Sequence, residues 1–211
     1  MRRSMPTPCC AGGMSTATPE TAVGTPPIVA LVASAGGIQA LQRVLSSLRP
    51  DLQAAVIVLL HLQPARTSVL TTILSRATAL TVVDAVEGET VQPGTVYVAL
   101  PDAHLQINSD GMFVFDHGPP VQNVRPSADM LLASMAPYRS ARLAVILSGL
   151  GHDGTLGAVA LHDAGGTVFA QDQITAEHFG MPSSAIDAGI VDRVISIDDL
   201  GDAVTEFVTE A

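Results

Sequence analysis

PIVALVASAGGIQALQRVL, residues 27–45, decides the architecture. The run PIVALVA is apolar without alternation, as a strand covered on both faces reads. Ser34 ends it, Gly36 and Gly37 follow, and Ile38, Leu41, Leu45 and Leu48 then fall on one helical face. Strand, glycine turn and amphipathic helix in that order open a parallel α/β sheet. In such sheets ligands collect outside the carboxyl ends of the strands, where Ser34 stands.

The alternation continues along the chain. AAVIVLL (54–60) is a second buried strand, a helical stretch covers 67–77, and LTVVDAV (80–86) is a third strand. Between 87 and 118 the pattern changes to short runs, TVYVAL, HLQI and MFVF, separated by PDA and NSDG. They read together as a small antiparallel insertion. A helix near 127–138, LAVIL (143–147), a helix over about 154–164 and GTVFAQ (166–171) restore the alternation. A short helix after Pro182, the strand VDRVISI and a final helix capped by Asp198 or Asp199 complete it. The expected architecture is α/β: a single doubly wound, mainly parallel sheet with helices on both faces and a small antiparallel hairpin insertion.

Composition sets the limits. The chain has 211 residues, 47% of them apolar, which suits one domain with a substantial core over 27–211. Residues 1–26, rich in Thr, Pro, Ala and Gly without periodicity, read as a disordered tail. That tail holds both cysteines, Cys9 and Cys10, so no disulfide framework is expected, in keeping with a cytoplasmic location. Arg2 and Arg3 lack the apolar stretch of an export signal behind them. No apolar run reaches the ~18 residues of a membrane span, so membrane insertion is not expected. All ten basic residues are arginine, against 20 acidic ones; the net charge of -10 opposes nucleic-acid binding.

Three strand ends carry chemistry. Ser34 follows the first strand, His61 the second, and Asp153 lies in SGLGHDG just past LAVIL. Parallel strands deliver these to one edge, where they supply a nucleophile, a base and an orienting carboxylate. The helix opening at Gly36 and Gly37 aims free N–H groups at a developing oxyanion. Each residue also has an ordinary reading: Ser34 as a helix N-cap, His61 as a bonded core histidine, Asp153 as a cap for the next helix. Gly149, Gly151 and Gly154 spell G-x-G-x-x-G, with Asp172 after the next strand, a dinucleotide-binding pattern. Asp153 inside that loop would repel a pyrophosphate, and too little chain follows Asp172 for a second nucleotide-binding half. His152, Asp153, His162 and Asp163 are adjacent pairs rather than the i, i+4 histidines of a zinc helix, so no metal is expected.

From about residue 28 onward the chain resembles the catalytic domain of the chemotaxis protein-glutamate methylesterases, the CheB type. The shared motifs are ASAGG (33–37), His61 with Pro64, EGE (87–89), PGTVYVALP (93–101), RPSAD (125–129), SGLGHDG (148–154), AQD (170–172) and FGMP (179–182). The resemblance places the family's serine, histidine and aspartate on Ser34, His61 and Asp153, with oxyanion support from the backbone at Ala35 and Leu150. It implies hydrolysis of glutamate methyl esters on chemoreceptor-type proteins, releasing methanol, together with deamidation of receptor glutamines in some members. No cofactor is implied. Val32 replaces the family's usual glycine, Ala35 a frequent threonine, and Ser148 and Leu150 a common threonine and methionine. Arg125 reads either as a substrate contact or as a structural ion-pair partner. Residues 1–26 are too few for the family's receiver domain, so either regulation has been lost, or it is supplied in trans by a separate response regulator or kinase, or this sequence is part of a longer protein. A non-catalytic signalling or binding module on the same fold is the alternative, with the dinucleotide-binding domain more distant.

Overall fold

The computed structural model describes residues 25–61 and 67–211; residues 1–24 of the expected tail, with both cysteines, and Pro64 lie outside them. The opening unit forms as its pattern predicts: β1 spans Ile28–Ala33 and α1 spans Gly37–Ser47. Every β1 residue is fully buried, and alternate side chains enter two different cores. Val29, Leu31 and Ala33 meet Leu41, Val44 and Leu45 of α1 on one face, while Ile28, Ala30 and Val32 fill the other. Burying each large aliphatic side chain contributes about 1.5–3 kcal/mol, which explains why neither face tolerates a polar residue.

The remaining elements are β2 (Ala55–Leu60), α2 (Thr67–Ser75), β3 (Thr81–Asp84), β4 (Thr95–Val98), β5 (His104–Ile107), β6 (Phe113–Asp116) and α3 (Ala128–Met135). They continue with β7 (Arg142–Ile146), α4 (Thr155–Asp163), β8 (Thr167–Gln171), α5 (Gly180–Asp187), β9 (Arg193–Ile195) and α6 (Leu200–Glu210). Seven strands form one parallel sheet in the order β3-β4-β2-β1-β7-β8-β9, with α1 and α6 on one face and α3, α4 and α5 on the other. β5 and β6 pair antiparallel as a separate hairpin that packs Leu105, Ile107 and Phe113 beside α3.

Three local expectations are corrected. TVYV belongs to the main sheet and not to the insertion: β4 lies parallel between β2 and β3, pairing Ile57 with Tyr97 and Val83 with Tyr97. The antiparallel insertion is therefore only β5–β6. α5 begins at Gly180, ahead of Pro182, whose missing N–H is tolerated in a first turn. Asp199 stands at the N-cap of α6 but makes no side-chain cap bond, and Asp198 pairs instead with Arg43 of α1.

Candidate active site

β2, β1 and β7 are adjacent, so their carboxyl ends lie side by side. Ser34 and His61 each extend the ladder by one residue. The Ser34 N–H donates to Ser148 O at 3.0 Å, and the His61 N–H to Ala33 O at 3.2 Å. Both side chains line an open cleft of about 410 Å³ with Gln122, Asn123, Val124 and the 150–153 loop. A smaller hollow of about 290 Å³ lies across Gly36 on the α1 side, and no histidine lines it.

The turn after Ser34 is built around absent side chains. Gly36 is the N-cap of α1 at φ 73 with no side-chain cap bond, so Ser34 does not cap this helix. A Cβ on Gly149 would stand 2.2 Å from the Met181 sulfur and 3.0 Å from Ser34 Cβ, so any side chain there would displace the methionine and crowd the serine. Ser148 locks the same turn: its Oγ donates to Ala35 O at 2.8 Å and accepts the His178 N–H at 3.0 Å. Val32, where the family usually has glycine, is fully buried in the α3–α4 core and leaves the ladder unbroken.

His61 Nε2 is 2.7 Å from Asp153 Oδ2. Asp153, 6% exposed, also accepts bonds from Ser127 Oγ (2.8 Å), the Ala128 N–H (2.7 Å) and the Asp129 N–H (3.1 Å). Its carboxylate therefore sits at the N-terminus of α3, where unpaired N–H groups and the helix dipole favour an anion. Burial pushes its pKa up, but the bonds from His61, Ala128, Asp129 and Ser127 outweigh burial and hold the group below the ordinary aspartate value. Asp153 is thus an ionised acceptor for the ring N–H of His61, and it caps α3 rather than the helix that follows it.

Asp129 mirrors this arrangement. Its Oδ1 accepts the N–H groups of Gly154 and Gly157, both at 2.9 Å, at the start of α4, and Oδ2 accepts Gln122 Nε2 at 2.7 Å. Burial, with the charge of Asp153 adding to it, raises the Asp129 pKa against the lowering effect of those N–H donors. A dinucleotide pyrophosphate would need the α4 N-terminus that Asp129 occupies, which removes the G-x-G-x-x-G reading. Asp172 is engaged locally, accepting the Thr175 N–H and hydroxyl.

Sequence reasoning left Ser127, Asp129 and Gln122 without roles. The SAD start of α3 resembles an ordinary cap, but the bonds run crosswise between two helices. His104 is buried behind them: Nδ1 accepts the Ser127 N–H at 3.1 Å, so its other nitrogen donates to Pro119 O at 3.1 Å. Arg125 donates to Gly118 O at 2.9 Å and stands 3.7 Å from Asp102, holding the loop as a structural partner.

The structure is a doubly wound α/β domain in which Ser34 and the bonded His61–Asp153 pair line one cleft at the carboxyl ends of the strands. The chain belongs to the CheB methylesterase family, whose model matches residues 29–204. It is 39% identical over 188 residues to a protein-glutamate methylesterase/protein-glutamine glutaminase of Geobacillus kaustophilus, covering 87% of this chain and 54% of the relative. A Myxococcus xanthus protein of the same description is 41% identical over 186 residues, covering 86% and 54%. The crystal structure of the Thermotoga maritima CheB methylesterase catalytic domain superposes with a TM-score of 0.81 at 37% identity, covering 85% of this chain and 97% of that one. The chain spans about half the length of these curated relatives.

Proposed function

We propose that this domain is a serine esterase that hydrolyses methyl esters of glutamate side chains on chemoreceptor-type proteins. The 2.7 Å bond between His61 and Asp153, at the cleft that Ser34 lines, carries the reading. Ser34 Oγ attacks the ester carbonyl as His61 takes its proton. Because Asp153 holds Nε2–H, the accepting nitrogen is Nδ1, the reverse of the serine-protease template, in which the carboxylate holds Nδ1. The N–H groups of Ala35 and Leu150 stabilise the tetrahedral oxyanion, each donor worth about 10²–10³ in rate. His61 then returns the proton to the leaving methoxide, methanol departs, and a glutamyl ester remains on Ser34. Water attacks that ester with His61 again as base, freeing glutamate and the Ser34 hydroxyl. With glutamine in place of the ester the same steps release ammonia, the second activity in the relatives' names.

No group in these steps calls for a metal or organic cofactor. The acidic chain is not built to hold nucleic acid, and among the described residues no helix is long and apolar enough to cross a membrane. A cytoplasmic receptor domain is the expected substrate, with a separate response regulator or kinase as the controlling partner.

Receptor membranes carrying labelled methyl esters test the activity. Methanol release by the wild-type domain, abolished in a folded Ser34→Ala variant, supports it. Release by Ser34→Ala at the wild-type rate contradicts it.

A further inference from the structure

We propose that Asp129 is a positioning residue for hydrolysis: its carboxylate ties the cleft wall at Gln122 to the start of α4 and so keeps Asp153 aimed at His61. The inference rests on the esterase reading and assigns a function to a group that touches neither the substrate nor His61.

The bonds form a closed circuit. Asp153 precedes α4 but accepts the first N–H groups of α3; Asp129 lies in the first turn of α3 but accepts the first N–H groups of α4. The Asp129 N–H itself donates to Asp153 Oδ1 at 3.1 Å. The peptide pinned by Asp129 is the one joining Asp153 to Gly154, so rotation of that peptide would swing the Asp153 carboxylate. Gly154 sits at φ 95, a left-handed conformation that favours glycine. Gly157 lets the circuit close, because a Cβ there would lie 2.4 Å from Asp129 O.

Gln122 completes the link. It lies at φ 49 in a tight turn on the cleft wall, bridged by Val121 and Val124, and its amide reaches back to Asp129 Oδ2 at 2.7 Å. An exposed glutamine holding a buried carboxylate couples the substrate-facing turn to the orienting group. A simple helix cap would need neither the Gln122 bond nor the return bond to Asp153.

The test compares wild type, Asp129→Ala, Asp129→Asn, Gln122→Ala and Ser34→Ala for kcat, KM, thermal unfolding and the downfield proton resonance of the His61–Asp153 bond. Misplacement of a catalytic group by 1 Å costs about 100-fold, so Asp129→Ala lowers kcat by about that factor, leaves KM nearly unchanged and loses the resonance. Asp129→Asn keeps an oxygen for Gly154 and Gly157, and it restores most of kcat and the resonance. A folded Asp129→Ala with wild-type kcat and an intact resonance overturns the proposal, as does equal damage in Asp129→Asn. If Asp129→Ala does not fold, Gln122→Ala decides: reduced kcat with a broadened resonance supports the link, and no change in either contradicts it. Wild type without methanol release, yet with a resonance that responds to Asp129→Ala, overturns the esterase reading and leaves the positioning role standing.

Discussion

At the scale of single residues, the site depends on how Asp153 is satisfied. Four donors hold it, and each is lost to a different degree in substitution. Asp153→Asn keeps the size but offers His61 an amide in place of a carboxylate acceptor; hydrolysis falls by about 10⁴ on the serine-protease precedent, read as kcat with KM little changed. Asp153→Ala leaves buried donors of Ser127, Ala128 and Asp129 unpaired, costing about 1–3 kcal/mol for each group stranded, measurable by urea unfolding. The pKa of Asp153 is lowered on folding. Its stabilisation is therefore complete above the ordinary aspartate value near 3.8 and is lost as pH falls through the lower folded value. Unfolding free energy of wild type minus Asp153→Asn should shrink only on that acid limb; a difference independent of pH would contradict the assignment. The positions of Ser34 and His61 were marked in the sequence because each directly follows an apolar run, and that of Asp153 because it lies in the glycine-rich loop after a third. Asp129 was not, since its partners lie in the first turn of another helix and on a turn that no periodicity marks.

At the scale of elements, α3 and α4 pack so closely that a carbonyl fills the space of a side chain. A Cβ on Gly157 would lie 2.4 Å from Asp129 O, and the obstacle is backbone, which cannot rotate aside. Gly157→Ala is expected to cost about 1–3 kcal/mol by overpacking and to lower kcat by forcing the two caps apart. Wild-type stability and kcat in that variant would show that the helices can separate freely. β1 and β2, apolar throughout, and the apolar centres of β7 and β8 could be read directly because burial on both faces disfavours polar residues. TVYV misled for the opposite reason. Its neighbours are short hairpin runs, and its membership of the sheet depends on pairing with β2 far earlier in the chain, which local pattern does not encode.

At the scale of the molecule, one sheet places the chemistry and two cores hold it. Tyr138 helps to close the α3 side: it is buried, its hydroxyl donates to Pro26 O at 2.6 Å, and burial pushes its pKa up to about 12. A phenol whose folded pKa is raised stabilises fully below its unfolded value near 10, and that contribution disappears as pH rises through about 12. Tyr138→Phe should flatten the alkaline loss of stability between those values; an unchanged alkaline limb would contradict the burial argument.

The central claim is that Ser34 is a nucleophile made reactive by His61. Its most direct measurement is the site and rate of reaction with a fluorophosphonate probe, read by peptide mass spectrometry. The account predicts a single adduct on Ser34 that forms at least about 100-fold more slowly in His61→Ala, since an unassisted serine hydroxyl is a weak nucleophile. An adduct on another residue, or modification of Ser34 at an equal rate without His61, would contradict it.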